Sequence, residues 1–141
     1  MLSPVRPQGA LVTAVVVGNP KPGSRTRQAA EMVAERLTGA PPATVIELSE
    51  LGPALLGWGD PAVETAKQAV AAAGLVIFAS PTYKATYTGL LKLFLDQFAA
   101  GELQGTTAVT SIDGTRGPTC GRATRRRPSA AASAAERTGA P

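Results

Sequence analysis

Two short stretches hold most of the side chains able to do chemistry. The first, Gly18-Asn-Pro-Lys-Pro-Gly-Ser-Arg-Thr-Arg27, follows an apolar run and opens directly into a helical pattern. Exposed amides at a helix N-terminus attract anions, to which Ser24 and Thr26 add hydroxyl donors and Arg25 and Arg27 add charge. Spacing selects among anions. The dinucleotide fingerprint G-x-G-x-x-G is absent. Gly18-x-x-x-x-Gly23 begins like a triphosphate-binding loop, but Ser24-Arg25 stands where that loop needs Lys followed by Ser or Thr. Ser80, not Asp, ends the third apolar strand, which further disfavours nucleotide triphosphate chemistry. A single phosphate held by hydroxyls and amides fits better. Taken alone, the same residues equally suit a Pro/Gly turn in which Ser24 or Thr26 only caps a helix. The second stretch, Ser80-Pro-Thr-Tyr-Lys-Ala-Thr-Tyr-Thr-Gly-Leu-Leu-Lys-Leu-Phe-Leu-Asp96, combines two tyrosines and a lysine with an amphipathic run. By themselves, Tyr83 and Tyr87 read as packing aromatics between loop and helix.

Composition narrows the chemistry further. The 141 residues include no histidine and one cysteine, Cys120. That excludes Ser-His-Asp and Cys-His catalysis, an internal disulfide framework and multi-cysteine zinc sites. Catalysis must come from carboxylates, Lys, Tyr, the backbone or a borrowed cofactor. The net charge of +4 is localised: residues 1–105 balance four Lys and four Arg against eight acids, whereas residues 106–141 set six Arg against two acids. The balanced part offers no basic face for nucleic acid. Apolar runs such as Leu75–Ala79 are too short to span a bilayer, and the N-terminus lacks a signal-peptide pattern. A cytoplasmic protein with no membrane partner is the expectation.

These stretches need elements to position them. Leu11–Val17 reads as a buried parallel strand. A helix from about Thr26 turns Ala30, Val33 and Leu37 inward and stops at Gly39. Thr44–Leu48 reads as a second strand. Asp60-Pro61 caps a helix with Val63, Ala66, Val70 and Ala73 inward, and Leu75–Ala79 is a third strand. From Thr88 a helix carries Leu91, Phe94, Leu95 and Phe98 on one stripe, and Gly105–Thr110 is a fourth strand. Lys92 and Asp96 are spaced as an i,i+4 pair, Glu64 and Lys67 read as surface charges, and Trp58 could flank a site or cap the core. The order implies an α/β fold, a doubly wound parallel sheet in three α/β/α layers, with ligands at the carboxyl ends of the strands.

With both stretches in place, the chain resembles the NADPH-dependent FMN reductases, a flavodoxin-like family that includes the reductase partners of sulfonate monooxygenases. The resemblance rests on P-x-Y-K-A-x-Y-x-G-x-L-K-x-x-L-D over Pro81–Asp96 and on G-x-P-x-x-x-S-R-T over Gly18–Thr26, and covers about residues 11–105. It implies FMN and a nicotinamide cofactor, NADPH or NADH. Ser24, Arg25 and Thr26 would hold the FMN phosphate. Pro81, Thr82 and Tyr83 would wrap the ribityl chain and ring, and Lys84 would lie near the flavin or the nicotinamide. The helix over Tyr87–Leu95 would carry subunit contact in a dimer or tetramer, and a flavin-dependent monooxygenase is an implied partner. No catalytic side chain and no metal are required, since the two cofactors make and break the bonds.

The family continues beyond its fourth strand with a Gly-rich loop, a helix, a fifth strand and a final helix. Residues 111–141 do not read that way. Ile112 is their only large aliphatic residue, and they contain no aromatic. The expectation is therefore a partial flavodoxin-like domain over 1–110, incomplete after the fourth strand, and a disordered Arg/Ala/Pro/Gly-rich tail over 111–141. A basic arm and a coding-frame change near residue 110 both account for such a tail, and the abrupt loss of periodicity favours the frame change. Two alternatives to a reductase remain: a flavodoxin-type electron carrier, and a non-catalytic protein that keeps only the first four strands. Steady NAD(P)H oxidation with FMN separates these from the reductase.

Overall fold

Four parallel strands and the helices between them make up the described part of the chain, residues 11–113 of a computed structural model. In chain order these are β1 (Thr13–Val17), α1 (Arg25–Thr38), β2 (Thr44–Glu47), α2 (Leu48–Leu51), a tight helical turn over Gly52–Leu56, α3 (Pro61–Ala72), β3 (Leu75–Pro81), α4 (Gly89–Leu95) and β4 (Thr107–Asp113). The sheet order is β2-β1-β3-β4. Every pairing is parallel, with Val15 opposite both Val45 and Ile77, and Ile77 opposite Val109. The chain therefore reverses its winding between β1 and β3, the switch point where a parallel sheet opens a crevice at its carboxyl ends.

The alternation of side chains along each strand builds two cores. One face presents Ala14, Val16, Ile46, Val76 and Phe78 to Val63, Ala66 and Val70 of α3 and to Leu91 and Phe94 of α4. The other presents Val15, Val17, Ile77 and Ala79 to Ala30 and Ala34 of α1. Because both faces of β1 and β3 are covered, these strands read as continuous apolar runs. Small residues on α1 (Thr26, Ala30 and Ala34 are buried) let that helix approach the sheet closely. Leu37, expected inward, is exposed, and the buried stripe continues through Ala34 instead.

Helix ends follow their local chemistry. Asp60 caps α3 by accepting from the amides of Ala62 and Val63, with Pro61 at the first helical position. Thr88 caps α4 by accepting from Leu91. Gly39 ends α1 in the left-handed region (φ 75°), where residues with a Cβ are disfavoured. Strand β2 stops at Glu47, one residue short of the expected end, because Leu48 begins α2. Strand β4, expected over 105–110, instead runs Thr107–Asp113, since Ser111, Ile112 and Asp113 continue the pairing with Ala79, Ser80 and Pro81. The character expected for the tail lies, from residue 114 onward, outside the described residues.

Two polar arrangements support the α3/α4 layer. The buried Gln97 donates to the carbonyls of Leu55 (3.2 Å) and Gly57 (2.9 Å), tying the turn after α2 to the end of α4. Lys67, expected as a surface charge, is largely covered: its ammonium lies 5.6 Å from the centre of the Phe98 ring and faces Glu64 and Glu102. Its stem packs while its charge stays paired. The Lys92–Asp96 pair forms on the exposed side of α4.

Phe94 is fully buried, whereas Leu37 is 57% exposed. Phe94→Ala is expected to cost about 3–5 kcal/mol of stability. Leu37→Ala should stay within about 0.5 kcal/mol. Urea titrations followed by circular dichroism check both.

Candidate functional site

The carboxyl ends of β1 and β3 bring the two chemically distinctive stretches together. The amide of Gly18 donates to the Ala79 carbonyl at 2.7 Å, extending the β1–β3 contact past the strands. The Thr88 hydroxyl then donates to the Gly18 carbonyl at 2.6 Å, while accepting from Leu91 N–H in its capping role. Ser80, buried at the end of β3, accepts from the Thr88 amide and donates to the Pro81 carbonyl. Gly18 leaves no room for a side chain, since a Cβ there would stand 2.8 Å from Leu91 Cβ and 3.2 Å from Thr88 Oγ1. One crevice wall is thus the β1–α1 loop, and the other is the segment after β3.

On the first wall, Ser24 is the N-cap of α1, accepting from Arg27 N–H at 3.3 Å. Asn19 donates to Thr26 Oγ1 at 3.0 Å and accepts from the Lys21 amide at 2.9 Å. Both hydroxyls therefore accept from the protein, and among the described residues neither O–H proton has an acceptor. Among the described residues nothing accepts from the amides of Arg25 and Thr26. The first turn of α1 carries no acidic residue, as suits the positive end of a helix dipole facing an anion. Asn19, Lys21, Gly23, Ser24, Arg25 and Thr26 line an open concavity of about 400 Å³. Arg25 is exposed and has no ion-pair partner among the described residues.

Arg27 behaves differently from its expected role as a charge donor. Its Nε donates to Glu31 and its Nη1 to Glu47, each at 2.9 Å. Donating to Glu31 and then to Glu47 raises its pKa above the ordinary arginine value, and these pairs occupy its charge within the protein. Glu47, buried at the last position of β2, also accepts from the Gly23 amide at 2.8 Å. Its position at a strand end gives no sequence signal of a partner twenty-four residues away.

On the second wall, Pro81 is buried as the last residue of β3, Thr82 is half-buried, and Tyr83 and Lys84 are exposed. Tyr83 and Thr86 exchange backbone hydrogen bonds of 2.9 and 3.1 Å around Lys84-Ala85. Lys84 has φ 50° and Ala85 φ 66°. Two successive left-handed residues define the mirror-image turn that normally takes Asn-Gly, and each side chain here costs about 1–2 kcal/mol. The turn leaves Tyr83 and Lys84 exposed instead of packed against the core. Tyr87 likewise avoids the core, at 41% exposure, and lines a 210 Å³ apolar groove with Phe78, Ser80, Leu91 and Leu95. Trp58 does not cap the core, being 75% exposed. The sequence motifs did not single out Asn19, Glu47 or Thr88. Of these, only the Thr88-Gly89 start of a helical pattern signals a capping role, and nothing local marks its bond to Gly18.

The sequence matches the NADPH-dependent FMN reductase family over residues 12–136. Among solved structures, the chain is similar to the apo form of an NADH:FMN oxidoreductase. Identity is 34% and the TM-score 0.64, with 72% of this chain and 57% of that one covered. It is also similar to an oxidoreductase from Corynebacterium diphtheriae, at 28% identity and a TM-score of 0.60, covering 74% of this chain and 64% of that one. A protein from Streptococcus mutans shares the fold at 20% identity and a TM-score of 0.52 over 71% of this chain and 66% of that one. The chain thus spans 57% and 64% of the length of the first two. No curated protein matches it. Among the described residues no helix is long and apolar enough to cross a membrane, and no cluster of acids could hold a metal ion.

Thr88→Val removes the donor to Gly18 and the cap of α4 together. A loss of about 1.5–3 kcal/mol is expected from denaturation midpoints. Ala85→Gly relieves one left-handed side chain and should gain about 1 kcal/mol by the same measurement.

Proposed function

The chain belongs to the NADPH-dependent FMN reductase family, and from that premise we propose that it binds FMN in the β1/β3 crevice and reduces it with NADPH or NADH. The observation that carries this reading is the pair of hydroxyls at the start of α1, Ser24 and Thr26. Each accepts one hydrogen bond from the protein, and among the described residues its proton has no acceptor. A phosphate monoester offers only acceptor oxygens, so it complements this arrangement together with the unpartnered amides of Arg25 and Thr26. Arg25 adds the charge that Arg27 has already spent. FMN therefore fits the residues present.

Bound FMN would supply the redox chemistry by accepting hydride from the nicotinamide ring. The work left to the protein is binding and orientation. Pro81 ends β3, and Thr82 and Tyr83 would flank the ribityl and ring portions of the flavin. Lys84 would supply a cation near the flavin or the nicotinamide, without needing to donate a proton. No histidine or thiol is called on. The final electron acceptor, assembly into a dimer or tetramer through the α4 side, and delivery of reduced flavin to a monooxygenase belong to this proposal as well. Cytoplasmic action is the setting it assumes.

Steady oxidation of NADPH or NADH with added FMN is the expected activity. An electron carrier or a non-catalytic relative would give none beyond a single reduction. Ser24→Ala combined with Thr26→Ala should weaken FMN by about tenfold or more, the scale of one to two hydrogen bonds to a charged group. Riboflavin, which lacks the phosphate, should change little. Equal losses for both flavins would remove the phosphate assignment. Tyr83→Ala should alter flavin fluorescence quenching without changing oligomeric state.

A further inference from the structure

Glu47 presents an apparent contradiction: a buried carboxylate stands behind a loop read as an anion site. Its Oε1 accepts from Gly23 N–H at 2.8 Å and its Oε2 from Arg27 Nη1 at 2.9 Å. A carboxylate in that place would, on charge alone, repel a phosphate. Its two bonds bear on a different property. Gly23 has φ +60° and immediately precedes the N-cap Ser24, with nothing within 4 Å of a Cβ built there. The bond from its amide to Glu47 ties the loop to the end of β2 in this conformation. The direction of the Ser24 hydroxyl and of the next two amides follows from that conformation. Arg27 meanwhile neutralises Glu47, and Glu31 holds the same guanidinium from the other side.

We propose that Glu47 is a positioning residue for phosphate recognition, locking the Gly23–Ser24 turn and retaining Arg27 as its counter-ion so that the Ser24, Arg25 and Thr26 donors converge on the anion. This rests on the reading of the loop as the FMN phosphate site. It makes a prediction of unexpected sign, because removing a negative charge beside an anion site should lower anion affinity. A carboxylate that served only as loop packing would affect phosphorylated and unphosphorylated flavins alike.

The test compares Kd for FMN and riboflavin, by fluorescence titration of the full chain, in the wild type, Glu47→Gln and Glu47→Ala. In Glu47→Gln, which keeps the shape but loses the charge-assisted pair, the ratio of riboflavin to FMN Kd should fall by about tenfold, the scale of one hydrogen bond to a charged group. Riboflavin affinity should hold within about twofold, a shift smaller than one neutral hydrogen bond contributes. Glu47→Ala should lower the ratio further. If the alanine variant fails to fold, the isosteric glutamine variant decides the matter. Equal losses for both flavins, an unchanged ratio, or tighter FMN binding in Glu47→Gln would overturn the positioning role while leaving the phosphate site standing. A wild type without preference for FMN over riboflavin would remove the phosphate site and this inference with it.

Discussion

The Thr88 hydroxyl reaches the Gly18 carbonyl across seventy residues of sequence, at 2.6 Å and out of water. Much of the candidate site depends on that contact. It can form only because Gly18 has no side chain to hold Leu91 and Thr88 away. It also completes a short buried network in which Ser80 holds the Thr88 amide and Gly18 holds the Ala79 carbonyl. Buried polar groups left unpaired are costly, so the network fixes both loops or neither. The β1–α1 loop and the β3–α4 segment are consequently one structural unit at the switch point, not two loops that happen to be neighbours.

Several charges around this unit are committed to one another. Arg27 is committed to Glu31 and Glu47, Lys92 to Asp96, and Lys67 to Glu64 and Glu102 above the Phe98 ring. Arg25 stands at the start of α1 without such a commitment among the described residues, beside hydroxyls whose protons are also unspent. A helix start rich in free donors and poor in acid is a general anion site. What makes it particular here is the neighbouring strained turn, which holds an aromatic ring and an ammonium outward at the same end of the sheet. Backbone strain of that kind persists only where surrounding contacts over-determine it. The paired hydrogen bonds between Tyr83 and Thr86 and the clamp at Thr88 provide those contacts.

Read alone, the sequence marked the order of the four strands and of α1, α3 and α4, though not the short α2 or the turn after it, together with the parallel sheet, the Asp60-Pro61 cap and the location of both loops. Each of these is local: β-branched runs bounded by glycine, helical periodicity and capping residues act over a few positions. It also marked Ser24, Arg25, Thr26 and Tyr83 as candidates, because a helix start and a dense motif are readable in a linear string. Tertiary structure alone decided which charges remain available. Arg25 and Arg27 are equivalent in sequence, yet only the fold brings Glu47 from the end of β2 against Arg27 and Gly23. It alone showed that Leu37 faces solvent, that Lys67 is covered, that β4 extends to Asp113, and that Thr88 closes onto Gly18. These outcomes depend on contacts between segments distant in sequence, where register and strand order, not residue type, determine who meets whom.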